Sequence, residues 1–164
     1  MKNIELHIEL PIPAAAAHDE TMALLGALGR SEPPFEDLAL ALGLRSLHFP
    51  IAGEVRIPIA THVELAPVHW EATLEINSAD HPNFFPRFRG TMTLNALDTN
   101  TSELSLQGSY IPPIGSVGDL IDATILHGAA ERSLRDLLER IAQLLVTTIH
   151  TREEATARRA RGLR

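Results

Sequence analysis

Residues 103–145 read ELSLQGSYIPPIGSVGDLIDATILHGAAERSLRDLLERIAQLL, and the spacing of apolar residues changes once within them. Up to Ile111 the period is two: Leu104, Leu106, Gly108 and Tyr110 fall on one side, with Glu103, Ser105, Gln107 and Ser109 on the other. That alternation is the mark of a half-buried strand. Pro112 and Pro113 end it by removing backbone donors. Ser116 with Asp119 three residues on has the form of a capping box, which satisfies the orphan amides of a helix start. Beyond it Ile121, Ile125, Ala129, Leu134, Leu137, Leu138, Ile141, Leu144, Leu145 and Thr148 recur at steps of three and four. Glu131, Arg132, Arg135, Asp136, Glu139 and Arg140 fill the opposite side, so the spacing predicts an amphipathic helix of about seven turns.

Moving towards the N-terminus, period two persists. Phe88, Gly90, Met92 and Leu94 oppose Arg87, Arg89, Thr91, Thr93 and Asn95, joined to the next strand by a turn at 98–101. Val68, Trp70, Ala72, Leu74 and Ile76 oppose His69, Glu71, Thr73 and Glu75, with a turn region over 77–83. Val55, Ile57, Ile59, Thr61, Val63 and Leu65 share a face, with Pro58 marking an edge or a bulge. A further short strand is expected over 44–49. At the start of the chain Ile4, Leu6, Ile8 and Leu10 alternate with Asn3, Glu5, His7 and Glu9 as strand one, stopped by Pro11 and Pro13. An alanine-rich run, 14–28, then predicts a helix ending at Gly29, and a second short helix is expected over 34–42 with Gly43 behind it.

A sheet with one apolar face must cover that face, and only the final helix is long and apolar enough to do so. The expected fold is therefore α+β: a curved antiparallel meander around a long C-terminal helix, with two short helices after strand one. Phe85-Pro86-Arg87-Phe88-Arg89-Gly90 resembles a strand opening of the START-like (SRPBCC, polyketide cyclase or Bet v 1-like) superfamily. Gly108-Ser109-Tyr110-Ile111-Pro112-Pro113-Ile114-Gly115-Ser116-Val117-Gly118 is similar to that superfamily's entry into its last helix. The resemblance covers the whole chain in element order and reaches motif level between about Phe84 and Leu145. It implies a helix-grip fold whose cavity, between sheet and helix, holds lipids, polyketides or other apolar ligands. In some branches it also implies cyclase or hydrolase chemistry. It supplies no catalytic motif that matches residue by residue.

Composition bounds the function. With 164 residues, 45% of them hydrophobic and 21% charged, the chain is expected to form one domain over 1–150. The segment 151–164 carries five arginines against two glutamates and few large apolar residues, and is expected to fray. A net charge of −7 disfavours nucleic acid as a partner. The N-terminal alternation lacks the apolar run of a secretory signal, and no segment has the ~18–20 apolar residues of a membrane span, so a soluble, cytoplasmic protein is expected. No cysteine is present, and the eight histidines show neither His-x-x-x-His on a helix nor His-x-His on a strand. No metal site or cofactor is expected on that basis.

An enzyme working in the cavity needs acids, bases or electrophiles on the inward face of the strands, and here that face is almost wholly apolar. No catalytic residue is assigned. The candidate ligand-binding residues are Ile57, Thr61, Trp70, Leu74, Phe88, Met92, Leu106 and Tyr110 from the strands, with Ile125 and His127 from the helix. Thr61, Trp70 and Tyr110 offer polar tips to orient a ligand, and Gly90 is a place where a larger side chain would fill the cavity. The leading expectation is a binding or carrier domain for an apolar small molecule. A cyclase, dehydratase or hydrolase using His127 and Tyr110 as acid and base is the alternative. A third reading is an interaction module without a small ligand, and the sequence leaves a homodimer open.

Overall fold

The computed structural model describes residues 2–43, 54–66, 70–79, 87–111 and 123–162. Six strands form one antiparallel sheet: β1 (Lys2–Leu10), β2 (Ala39–Gly43), β3 (Glu54–Ala66), β4 (Glu71–Ser78), β5 (Arg87–Ala96) and β6 (Ser102–Ile111). Their order across the sheet is β1-β6-β5-β4-β3-β2, with every neighbouring pair antiparallel. Among the described residues two helices accompany the sheet, α1 (Ala14–Gly29) after β1 and α2 (Ala123–Gly162) after β6.

The alternation read from the sequence sets which face is dry. In β4 Ala72, Leu74, Ile76 and Ser78 are buried, and in β5 Phe88, Gly90, Met92 and Leu94 are buried, each separated by a more exposed residue. Against this face lie Leu134, Leu137, Leu138, Ile141, Leu145 and Ile149 of α2, all buried, at the spacing of one helical stripe. Helix α2 contacts both β1 and β2, the two edges of the sheet. A flat sheet of this width spans about 24 Å at ~4.8 Å per strand, whereas a helix is ~10–12 Å across. The sheet must therefore curl around α2 for both edges to reach it.

The outward face is solvated and paired across strands. His7 lies 3.4 Å from Glu103 of β6, Gln107 donates to Glu5 of β1 at 2.8 Å, and Arg87 of β5 pairs with Glu75 of β4. These are the cross-strand contacts that charged residues on an exposed sheet face make.

Two expectations are corrected, and a third lies outside the described residues. The second short helix is absent: 30–37 forms turns, and Ala39–Gly43 is strand β2, its residues paired with Glu54 to Pro58 of β3. Alanine and leucine favour a helix locally, but five residues are too few to sustain one, and an open sheet edge offers ladder hydrogen bonds instead. The strand expected over 44–49 lies outside the described residues. The C-terminal segment is not frayed through Gly162: α2 continues, with every residue from Thr151 to Gly162 exposed. The packed half of α2 nucleates the helix, after which alanine, arginine and glutamate extend it at little cost. Arg152 ties the extension to Glu20 of α1 at 2.9 Å.

Candidate functional site

The register places inward residues in rows across the sheet. Tyr110 pairs with Phe88, Phe88 with Ile76, and Ile76 with Thr61. The next inward row runs Ile4, Gly108, Gly90, Leu74 and Val63, and the one beyond it Leu6, Leu106, Met92 and Ala72, ending in register at Leu65, which is exposed. The row of Gly108 and Gly90 is the unusual one. A Cβ on Gly108 would stand 2.6 Å from both the Gly90 Cα and the Phe88 Cζ, and one on Gly90 would strike the Gln107 carbonyl and the same ring. Phe88 thus lies down over two residues that have no side chains, and only glycine permits that close approach.

A hollow remains beside the reclining ring. Ile59, Ile76, Asn77, Phe88 and Tyr110 line it from the sheet, and Ala130, Ser133, Leu134 and Leu137 from α2. Its volume among these residues is about 50 Å³. A site for one water needs ~10–15 Å³ on this measure, so there is room for a few water-sized groups. Positions 130, 134 and 137 form a helical stripe like those deeper in the core, but its first member is alanine, which leaves the space unfilled.

The hollow is mainly apolar, and three of its lining residues, Tyr110, Asn77 and Ser133, are of polar type. Tyr110 is 1% exposed, and burial pushes its phenol pKa up to about 12, so the hydroxyl keeps its proton at neutral pH. Asn77 alternates to the other face of β4 from Ile76 and Ser78, and its buried Oδ1 has no hydrogen-bond partner among the described residues. Ser133 adds a second hydroxyl. A largely apolar lining with a few placed polar groups is the usual make-up of small-molecule sites.

Of the residues singled out in the sequence, Phe88 and Tyr110 line this hollow. Leu74, Met92 and Leu106 share the inward face but are at most 1% exposed and belong to the packed core behind it. Thr61 does not line it: its hydroxyl donates to the Leu28 carbonyl and closes the last turn of α1. Trp70 leaves the strand. It sits in a turn before β4 with φ of 54°, and its ring packs 5.0 Å from His18 of α1, at the opposite end of the sheet. The side chains of Ile57, Ile125 and His127 lie outside the described residues. Gly90 offers no room for a larger side chain, so a substitution there would distort the sheet before it filled the cavity.

Sequence reasoning missed Asn77, Ala130 and Ser133 as lining residues. Asn77 falls where asparagine ordinarily signals a turn, yet it lies within β4, paired with Ala60. Ala130 and Ser133 could have been found as small residues interrupting an otherwise large apolar stripe.

This architecture is a Bet v 1-like helix-grip fold, as solved structures show. The chain is similar to the Zhui aromatase/cyclase from Streptomyces sp. R1128, with a TM-score of 0.58 at 13% identity over 88% of this chain and 93% of that one. A conserved protein from Geobacillus kaustophilus gives a TM-score of 0.59 at 16% identity, covering 90% and 97%. Ara h 8.0201 gives 0.56 at 10% identity, covering 89% and 98%. No protein-family model matches the sequence, and no curated protein matches it. Among the described residues, no helix is long and apolar enough to cross a membrane.

Proposed function

We propose that the protein is a noncatalytic binding or carrier domain for an apolar small molecule, held between the Tyr110, Phe88 and Ile76 row and helix α2. The observation that carries this reading is the hollow itself: an unfilled apolar space at one end of a core of buried side chains. Filling it removes apolar surface from water at about 25 cal/mol per Å². Full ligands occupy ~300–1,000 Å³, so this space receives one end of a ligand, and the rest requires movement of α2 away from the sheet.

The fold is also that of a protein described as an aromatase/cyclase, which motivates the enzymatic alternative. Of the described lining residues, however, only Tyr110 titrates, and a phenol with a pKa of about 12 is poorly matched to general base work near neutral pH. That observation favours binding over catalysis.

Native purification, extraction and mass spectrometry, comparing the wild type with Ala130→Leu, tests the reading. The expected result is an apolar compound in the wild type and little or none in the folded variant. A compound retained equally by the variant places its site elsewhere. An empty wild type that also fails to take up p-xylene overturns the reading.

A further inference from the structure

Strand β1 ends the sheet on one side. It pairs with β6, and among the described residues no strand pairs with its other side and no backbone group of Lys2–Leu10 bonds outside that ladder. The free side therefore presents a row of unpaired N–H and C=O groups. Such an edge is ordinarily blunted by a proline, a bulge, shortness or an inward-pointing charge. Strand β1 has none of these: its nine residues pair with β6 one for one, none is proline, and Ile4, Leu6, Ile8 and Leu10 make the inward row apolar. Beyond Lys2 its charges lie on the outward face, at the exposed Glu5, His7 and Glu9. Ile4, Leu6 and Leu10 are buried, whereas Ile8 is only half-buried, an aliphatic side chain left for a neighbour to cover.

We propose that this edge pairs with the same edge of a second copy, antiparallel about Leu6, so that two six-stranded sheets become one. A two-fold contact is self-complementary, each residue meeting in the second copy the residue that meets it in the first. Leu6 is the midpoint of Lys2–Leu10, so centring there pairs the whole strand. The same register sets Glu5 opposite His7 twice, Asn3 opposite Glu9 twice, and Ile4 opposite the half-buried Ile8 twice. Centring on Glu5 instead sets that carboxylate against its own copy. Centring on His7 sets Glu5 against Glu9, and like charges directly opposite destabilise a strand pair. An odd offset puts apolar residues of one copy opposite charged residues of the other. Full-length pairing and charge complementarity thus select one register. His7 donates to Glu5 of its own strand at 3.1 Å, and this bond, opposed by burial and reinforced by Glu103, holds its pKa above the ordinary 6.5. Protonated, it offers Glu5 of the second copy a positive charge.

Sedimentation equilibrium at about pH 6 tests the proposal on the wild type, on His7→Glu and on the swap of Glu5→Lys with His7→Glu, each checked for fold by circular dichroism. The expected result is a reversible wild-type dimer, weakened about tenfold or more by His7→Glu, which sets glutamate opposite glutamate twice, and restored to within about threefold by the swap. Disulfide formation reads the register independently, because the chain has no cysteine of its own. Residues directly opposite across an antiparallel pair lie ~4.5–5.5 Å apart at Cα, within disulfide range. A mixture of Asn3→Cys and Glu9→Cys proteins should therefore form a cross-linked dimer at least about tenfold faster than either protein alone. A wild type that stays monomeric at ~1 mM overturns the inference. A dimer that His7→Glu leaves unchanged, with no acceleration in the cysteine mixture, overturns it as well. Should the charge variants not fold, the cysteine mixture, altered only at the exposed Asn3 and Glu9, decides alone.

Discussion

The two ends of the concave face obey the same alternation and end up different. Towards the β5–β6 turn, Leu6, Met92, Leu94, Leu104 and Leu106 meet Leu138, Ile141 and Leu145, all at most 2% exposed. Towards Tyr110, the row of Ile76, Phe88 and Tyr110 meets Ala130, Leu134 and Leu137 and leaves a hollow. Periodicity does not distinguish these ends, since both put apolar residues inward. Side-chain volume does: paired glycines let Phe88 lie flat, and Ala130 withholds the side chain that would close the gap. A binding space in this fold is made by a few small residues set into a pattern that otherwise builds solid core.

The comparison breaks most readily at the glycines. Gly108→Val should fail to fold, or lose more than about 3 kcal/mol in denaturant unfolding, because its Cβ meets backbone and the Phe88 ring at once. Normal stability would show that the glycine pair does not shape the hollow. Leucine truncations come next. Leu138→Ala in the packed end should cost about 3–4 kcal/mol, against about 2 kcal/mol for Leu134→Ala, which enlarges a space already present. Equal losses would erase the distinction between the ends.

Enlarging alanines sharpens it further. Ala142→Leu, in the packed end, should destabilise by about 1–3 kcal/mol, whereas Ala130→Leu should be neutral or stabilising by up to about 1 kcal/mol. The smallest effect is electrostatic. Tyr110 has its pKa raised by burial from 10.0 to about 12, so the folded state keeps a proton that the unfolded chain releases. Its contribution is complete below pH 10 and is lost as pH rises through about 12, with a loss of about 1 kcal/mol at pH 11. Tyr110 is the sole tyrosine, so its absorbance near 295 nm reports the titration directly. A midpoint near 10 would show an exposed phenol.

Most of the fold was legible because strands half-buried against one helix write their faces into the sequence. Leu104, Leu106 and Tyr110, or Ala72, Leu74 and Ile76, need only alternation to be placed. Segments decided by tertiary pairing were not. Ala39 to Gly43 looks helical until β3 is beside it, and Trp70 continues an alternating pattern that its positive φ interrupts. The candidate site was legible only where aromatic residues mark it, at Phe88 and Tyr110. Its remaining character comes from Asn77, Ala130 and Ser133, whose importance depends on what stands opposite them.

The central claim is that the Tyr110 end accepts an apolar molecule and the packed end does not. Methyl-resolved NMR of the wild type titrated with p-xylene tests it directly. The account predicts saturable shifts at Ile59, Ile76, Leu134 and Leu137, with Leu104, Leu106 and Leu145 unmoved, and loss of the response in Ala130→Leu. Saturable binding that shifts Leu104, Leu106 and Leu145 instead, or no saturable response anywhere, would contradict it.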